Sequence, residues 1–181
     1  MESIKSLVKW PRALRAARKQ SVKLARRADD HISWWRAIYA RRRSSATFIA
    51  VTGSSGKSTT AALISHILSA AAQVRAQLGT NVYRAHIGSL QHAPPDISYF
   101  VSEAASHGPG KLQPVLKVLR PTVGVVTLVA LEHKSAFRSI EAVAEEKGKL
   151  VEALPANGLA ILNYDDPRVA SMAQRTKARI V

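Results

Sequence analysis

The chain of 181 residues has no cysteine, which excludes disulfides and thiolate metal sites and suits a reducing cytosol. It has no run long and apolar enough to cross a bilayer. Nor does its beginning show the short apolar core and small-residue cleavage site of a signal peptide. A cytoplasmic protein is therefore expected, with a peripheral position at the inner face of the membrane as a variant of that expectation. Acids are scarce too, at 12 against 27 Lys and Arg, for a net charge of +15. The imbalance is local. Residues 1–46 hold 13 of the bases and 3 of the acids and so supply +10 of the charge.

What is present at the beginning is a helical pattern. Leu7, Trp10, Leu14, Ala17, Leu24, Ala28, Ile32, Trp35 and Ile38 recur at steps of three and four, with Arg and Lys on the other faces. Such a helix packs on its own domain or on a partner domain in the preferred reading. An anionic membrane surface is the second partner that residues 1–43 could serve, and nucleic acid ranks last. Arg41-Arg42-Arg43-Ser44-Ser45 reads as a solvated linker. Residues 1–45 are thus a basic amphipathic helical extension and linker, and 46–181 a second unit.

From Thr47 the pattern alternates between strand and helix. Strands are predicted at Phe48–Val51, Ile97–Ser102, Thr122–Val129 and Leu159–Leu162, with another beginning at Ala178–Val181. Helices are predicted at about 57–72, 112–119 and 139–154, and residues 78–96 are predicted irregular. The fold class that follows is α/β, a mainly parallel sheet with helices on both faces in the manner of a P-loop NTPase. Ligands in such sheets sit at the carboxyl ends of the strands. All four predicted strands run there into polar groups.

The first of these groups is the most specific. Thr52-Gly53-Ser54-Ser55-Gly56-Lys57-Ser58-Thr59-Thr60 lies between a strand and a helix, as a phosphate-binding loop does. Gly53, Ser54, Ser55, Gly56, Lys57, Ser58 and Thr59 are the candidate nucleotide ligands. Their backbone N–H groups and the following helix start would face anionic oxygens. Lys57 would reach the terminal phosphates, and the hydroxyl of Ser58 or Thr59 would ligate Mg²⁺. The plain alternative is a Gly/Ser turn.

Glu103 closes the second strand and is placed to hold Mg²⁺, which takes oxygen ligands; the alternative is a solvated loop acid. His133 is a candidate metal ligand or phosphate-orienting residue, or a surface histidine. Lys147 falls on the apolar stripe of its helix with Ile140, Val143, Leu150 and Val151, whereas Glu145, Glu146 and Lys149 are expected to point away. It either snorkels to solvent or is held for a reason. Asn163 could bond the nucleotide, as could Asp165 or Asp166, but Asn-Tyr-Asp-Asp-Pro is also good turn and capping chemistry.

Together these motifs resemble the central ATP-binding domain of the Mur ligase family, most closely its MurF-like branch. The shortened loop Thr52–Thr60 is similar to that family's Thr-Gly-x-x-Gly-Lys-Thr/Ser version. Ser102 to Gly110 resembles the segment with its magnesium-binding glutamate, and Arg120 to His133 the strand and loop with its metal-binding histidine. Ala144 to Gly148 resembles the stretch whose lysine becomes carbamylated and supports magnesium. Leu162 to Asp166 resembles its Asn-x-Asp-Asp signature. The chain departs from the pattern at Leu128, where the family usually has Asn. The resemblance covers roughly 46–181 and implies a domain that stops early, without the family's UDP-binding and C-terminal domains.

It further implies an ATP- and Mg²⁺-dependent ligase that joins a carboxylate to an amine, from an amino acid or peptide, through an acyl phosphate. Lys57, His133 and Lys147 would be catalytic, with Ser58, Glu103 and His133 at the metal. A muramyl peptide of the peptidoglycan type is the family default, with polyglutamate or cyanophycin-type substrates as alternatives. The rival functions are another P-loop ATPase or kinase, or a non-catalytic nucleotide-binding module tethered by its basic helix.

Overall fold

The computed structural model describes residues 20, 31–79, 83–132 and 136–181. A helix over 31–43 (α1) precedes β1 (Thr47–Thr52). Then follow α2 (Lys57–Ser69), β2 (Val74–Gln77), α3 (Tyr83–Gln91), β3 (Tyr99–Glu103) and α4 (Leu112–Leu119). The rest is β4 (Val123–Val126), α5 (Ile140–Glu152), β5 (Leu159–Leu162), α6 (Pro167–Ser171), a 3₁₀ turn and β6 (Arg179–Ile180). All strand pairs are parallel, in the order β2-β3-β1-β4-β5-β6.

Alternation along the strands divides the core. Ile49, Val51, Val101 and Val125 face α2, meeting Ala61, Ile64 and Leu68. Phe48, Ala50, Phe100, Val126 and Ala160 face the other helices. Phe48 and Phe100 are register partners, and their rings stack at 5.0 Å, which ties β1 to β3. Only the chain from β1 to β2 moves toward one edge; every later crossover moves the other way. Right-handed connections therefore put α2 alone on one face. β1 lies between β3 and β4, whose helices leave on the opposite face. That reversal opens a crevice at the carboxyl end of β1.

Several boundaries differ from the sequence reading. Six strands form, because β2 (Val-Arg-Ala-Gln) pairs as an edge strand that needs little apolar content. The stretch read as irregular contains α3, whose Ile87 and Leu90 are buried despite Gly79, Gly88, Pro94 and Pro95 around them. β4 stops at Val126, since residues 127–130 leave the sheet to bond the phosphate loop.

The predicted solvated linker begins inside α1. Arg41 lies over the Phe48 ring, 3.8 Å from its centroid, and donates to the carbonyls of Leu119 (2.6 Å) and Arg120 (2.8 Å), capping the end of α4. Ala37 is fully buried in the same cluster as Phe48 and Phe100. The part of the predicted N-terminal helix in residues 1–19 and 21–30 lies outside the described residues.

Candidate functional site

The loop between β1 and α2 has the backbone that phosphate binding requires. Gly53 has φ 147° and Gly56 has φ 77°, conformations that side-chain-bearing residues rarely adopt. A Cβ on Gly53 would also stand 1.9 Å from Thr127 Oγ1, so the close approach needs glycine. α2 starts with no side-chain cap and no acid of its own in its first turn. Lys57 folds back across the loop, its Nζ 3.5 Å from the Ser54 carbonyl.

Neighbouring strand ends brace this loop. Ser54 N donates to Leu128 O at 2.8 Å, and Ser54 Oγ bonds both the carbonyl and the N–H of Ala130 at 2.9 Å. Thr127 Oγ1 donates to Ser55 O at 2.6 Å. The hydroxyl and the N–H of Ser54 are thus both spent on structure. The backbone of Leu128 anchors the loop whatever its side chain. Thr127 was missed in the sequence, where a threonine at a strand end carries no distinguishing signal.

Glu103 ends β3 and is only 2% exposed. Its Oε2 accepts from Ser58 Oγ at 2.7 Å and from Gly79 N at 3.1 Å. A hydroxyl and a carboxylate side by side at the lip of a phosphate loop are the hard oxygen donors that Mg²⁺ takes. Behind Glu103 lies a buried polar relay. Ser102 Oγ donates to Gln77 Oε1 at 3.1 Å, so its single proton is committed. The His86 Nδ1 at 3.0 Å must then be the donor to Ser102, which leaves Nε2 as an acceptor, buried and without a partner among the described residues. Burial pulls the His86 pKa down to about 4, against an opposing pull from Glu103. The imidazole is neutral at pH 7. His86 and Gln77 come from the stretch read as featureless and from an unrecognised strand.

Lys147 is fully buried, and its ammonium pairs with Glu132. Burial lowers its pKa most, Glu132 opposes that, and the charge of Lys57 lowers it further; the net shift is downward. Lys147 is therefore enclosed, not snorkelling, and lies within electrostatic reach of Lys57. Glu146 was expected to point away but is 1% exposed. It reaches across to α4 and accepts from Gly110 N (2.8 Å) and Leu112 N (2.7 Å), satisfying donors at that helix start. Burial pushes its carboxyl up, but Lys149 and those two N–H groups outweigh this and hold it below the usual range.

Asp166 is the N-cap of α6, accepting from Arg168 N (2.9 Å) and Val169 N (3.4 Å), and also takes Val129 N at 2.6 Å. Asn163 Oδ1 accepts from Asp165 N at 3.1 Å within the same turn. His133 lies outside the described residues. Among the described residues no group of three or more His, Cys, Asp or Glu is arranged to hold a metal.

A parallel sheet with a short Gly-x-x-Gly-Lys-Ser loop at its central strand, and a hydroxyl–carboxylate pair beside that loop, is the architecture of a P-loop NTPase-like α/β domain. The class narrows to a family. The chain belongs to the Mur ligases: residues 51–181 match the Mur ligase middle domain. Over 136 residues it is 36% identical to UDP-N-acetylmuramoyl-tripeptide--D-alanyl-D-alanine ligase of Mycobacterium tuberculosis, covering 75% of this chain and 27% of that protein. The Escherichia coli ligase of the same name is 32% identical over 138 residues, covering 72% and 29%.

Among solved structures, MurF of Thermotoga maritima in complex with ADP superposes with TM-score 0.71 and 26% identity over 81% of this chain and 35% of that one. MurF of Acinetobacter baumannii gives TM-score 0.77 over 82% and 33%, a likeness of fold at 24% identity. The chain spans between a quarter and a third of the length of these curated relatives.

Proposed function

We propose that this domain binds Mg²⁺-ATP in an amide-forming ligase that phosphorylates a carboxylate and passes the acyl group to an amine. The observation that carries the reading is the contact between Ser58 and Glu103 at the lip of the loop. In the first step a substrate carboxylate oxygen attacks the γ-phosphorus and ADP leaves. In the second an amine attacks the acyl carbon, phosphate leaves, and the nitrogen gives up a proton. Both steps need positioning and charge neutralisation more than covalent help from the protein.

The loop backbone from Gly53 to Thr59, apart from the bonded Ser54 N–H, would cradle the phosphates, and Lys57 would swing from the Ser54 carbonyl to the γ-phosphate. Ser58 and Glu103 would hold Mg²⁺, which when bound offsets phosphate charge. His133 and Lys147, the latter as a carbamate, would serve a second metal position. A buried lysine with a lowered pKa spends more of its time as the neutral amine that carbamate formation requires. Asn163 would contact the nucleotide.

The relatives are named for a UDP-N-acetylmuramoyl-tripeptide and D-alanyl-D-alanine, so a muramyl peptide and a dipeptide are the first substrates to try in a cytoplasmic reaction of peptidoglycan synthesis. Phosphate release from Mg²⁺-ATP is the test, measured with and without each substrate. Release that requires both carboxylate and amine supports the ligase. Release independent of both would make the domain a simple ATPase, and unchanged binding and turnover in Lys57→Ala would remove the scheme altogether.

A further inference from the structure

At the opposite end of the sheet from the phosphate loop, a cavity of about 740 Å³ opens ahead of β4 and β5. Its wall includes Arg41, Arg42, Lys117, Arg120, Lys149 and Glu152. The last two are already committed, Lys149 to Glu146 and Glu152 to Arg175. Among the described residues the other four cations have no carboxylate partner.

Arg41 is the most constrained of them. Its Nε and one terminal nitrogen are held by the carbonyls that end α4, and its guanidinium plane rests on Phe48. The remaining N–H donors are held in place without acceptors among the described residues. Burial first, and the charge of Arg120 second, bring its pKa down to about 10, so like charges have been brought together in a partly desolvated place. Such an arrangement costs free energy unless an anion completes it. The cavity volume falls within the usual range for small-molecule sites, about 300–1,000 Å³. Leu116 and Pro155 give it an apolar wall.

We propose that this cavity is a second anion site, distinct from the phosphate loop, that takes a ligand bearing several phosphate oxygens. Forked guanidiniums match the oxygens of a phosphate in pairs, and the clustered cations match its multiple charge. The site does not rest on the ligase reading. Arg41 and Arg42 lie ahead of the family-matched stretch 51–181, so two of the four wall cations without a carboxylate partner among the described residues come from the N-terminal helix. That helix thereby gains a role beyond packing. The phosphates could belong to a soluble polyphosphate compound or to a lipid headgroup.

Binding of inorganic tripolyphosphate by the full chain is measured calorimetrically in a Lys57→Ala background, which disables the loop. Co-sedimentation with anionic phospholipid vesicles, against neutral ones, forms the second arm. Arg42→Ala/Lys117→Ala is then added to that background. Both side chains are exposed and make no bonds among the described residues, so an unchanged unfolding temperature is expected and is checked. The proposal predicts that Lys57→Ala alone still binds at least one of the two probes. It also predicts that the added pair weakens this binding at least tenfold. Tripolyphosphate binding would point to a soluble ligand, and vesicle binding alone to a headgroup. If Lys57→Ala binds neither probe, or the added pair changes nothing, the site does not exist.

Discussion

Acidification should weaken the fold through one residue before the carboxylates take part. His86 is fully buried, donates through Nδ1 to Ser102, and has no partner for Nε2 among the described residues. Its pKa is down to about 4 in the folded chain and returns to about 6.5 when unfolded. Between those values the unfolded chain binds a proton that the folded chain does not, so stability falls as pH falls. The contribution is fully present above the unfolded pKa and lost as pH descends toward the folded one.

Linkage puts the loss between pH 7 and pH 5 at about 2 kcal/mol, a little over half of the full effect. For a urea dependence of about 1–3 kcal/mol per molar, that is a shift of about 1 M in the midpoint. The assay is urea unfolding followed by circular dichroism at several pH values, with His86→Gln as the comparison. Glutamine can keep the bond to Ser102 but does not titrate, so its curve should be flatter over this range. Equal pH dependence in the two proteins would refute the argument.

Gly53→Ala should reduce ATP affinity at least tenfold in a calorimetric titration, because the new methyl collides with Thr127 and the loop must shift. Asp166→Ala should destabilise the protein by about 2 kcal/mol in urea unfolding, since it removes a helix cap and also strands Val129 N. The double change Lys147→Met/Glu132→Gln should alter stability by less than about 1 kcal/mol in the same assay, because it removes both charges of the buried pair together and so leaves neither stranded. Phosphate release should nevertheless disappear in that variant. A large loss of stability would mark the pair as structural.

The loop and the strands that carry site residues were legible because their signals are local. Gly53 and Gly56 announce a special backbone, and Phe48–Val51 and Leu159–Leu162 are compact apolar runs. Glu103 and Lys147 stood out as polar residues at positions where the pattern demands burial. What escaped notice depends on contacts between distant segments. β2 is an edge strand with little apolar content, and α3 is punctuated by residues that usually break helices. Glu146 sits next to the buried stripe of α5 but is drawn inward by the N–H groups of Leu112 at the start of α4 and of Gly110 just ahead of it. Arg41 looks like the first of three solvated arginines, and only the carbonyl end of α4 explains why it docks while Arg42 remains exposed.

The most direct measurement is ATP affinity with Mg²⁺ and with chelator, in the unaltered chain, Glu103→Gln and Lys57→Ala. If Ser58 and Glu103 form the metal site of a phosphate loop, Mg²⁺ strengthens ATP binding in the unaltered chain. Glu103→Gln then loses most of that gain while keeping its metal-free affinity, and Lys57→Ala loses affinity under both conditions. A Mg²⁺ effect of the same size in Glu103→Gln, or unchanged affinity in Lys57→Ala, would contradict the account.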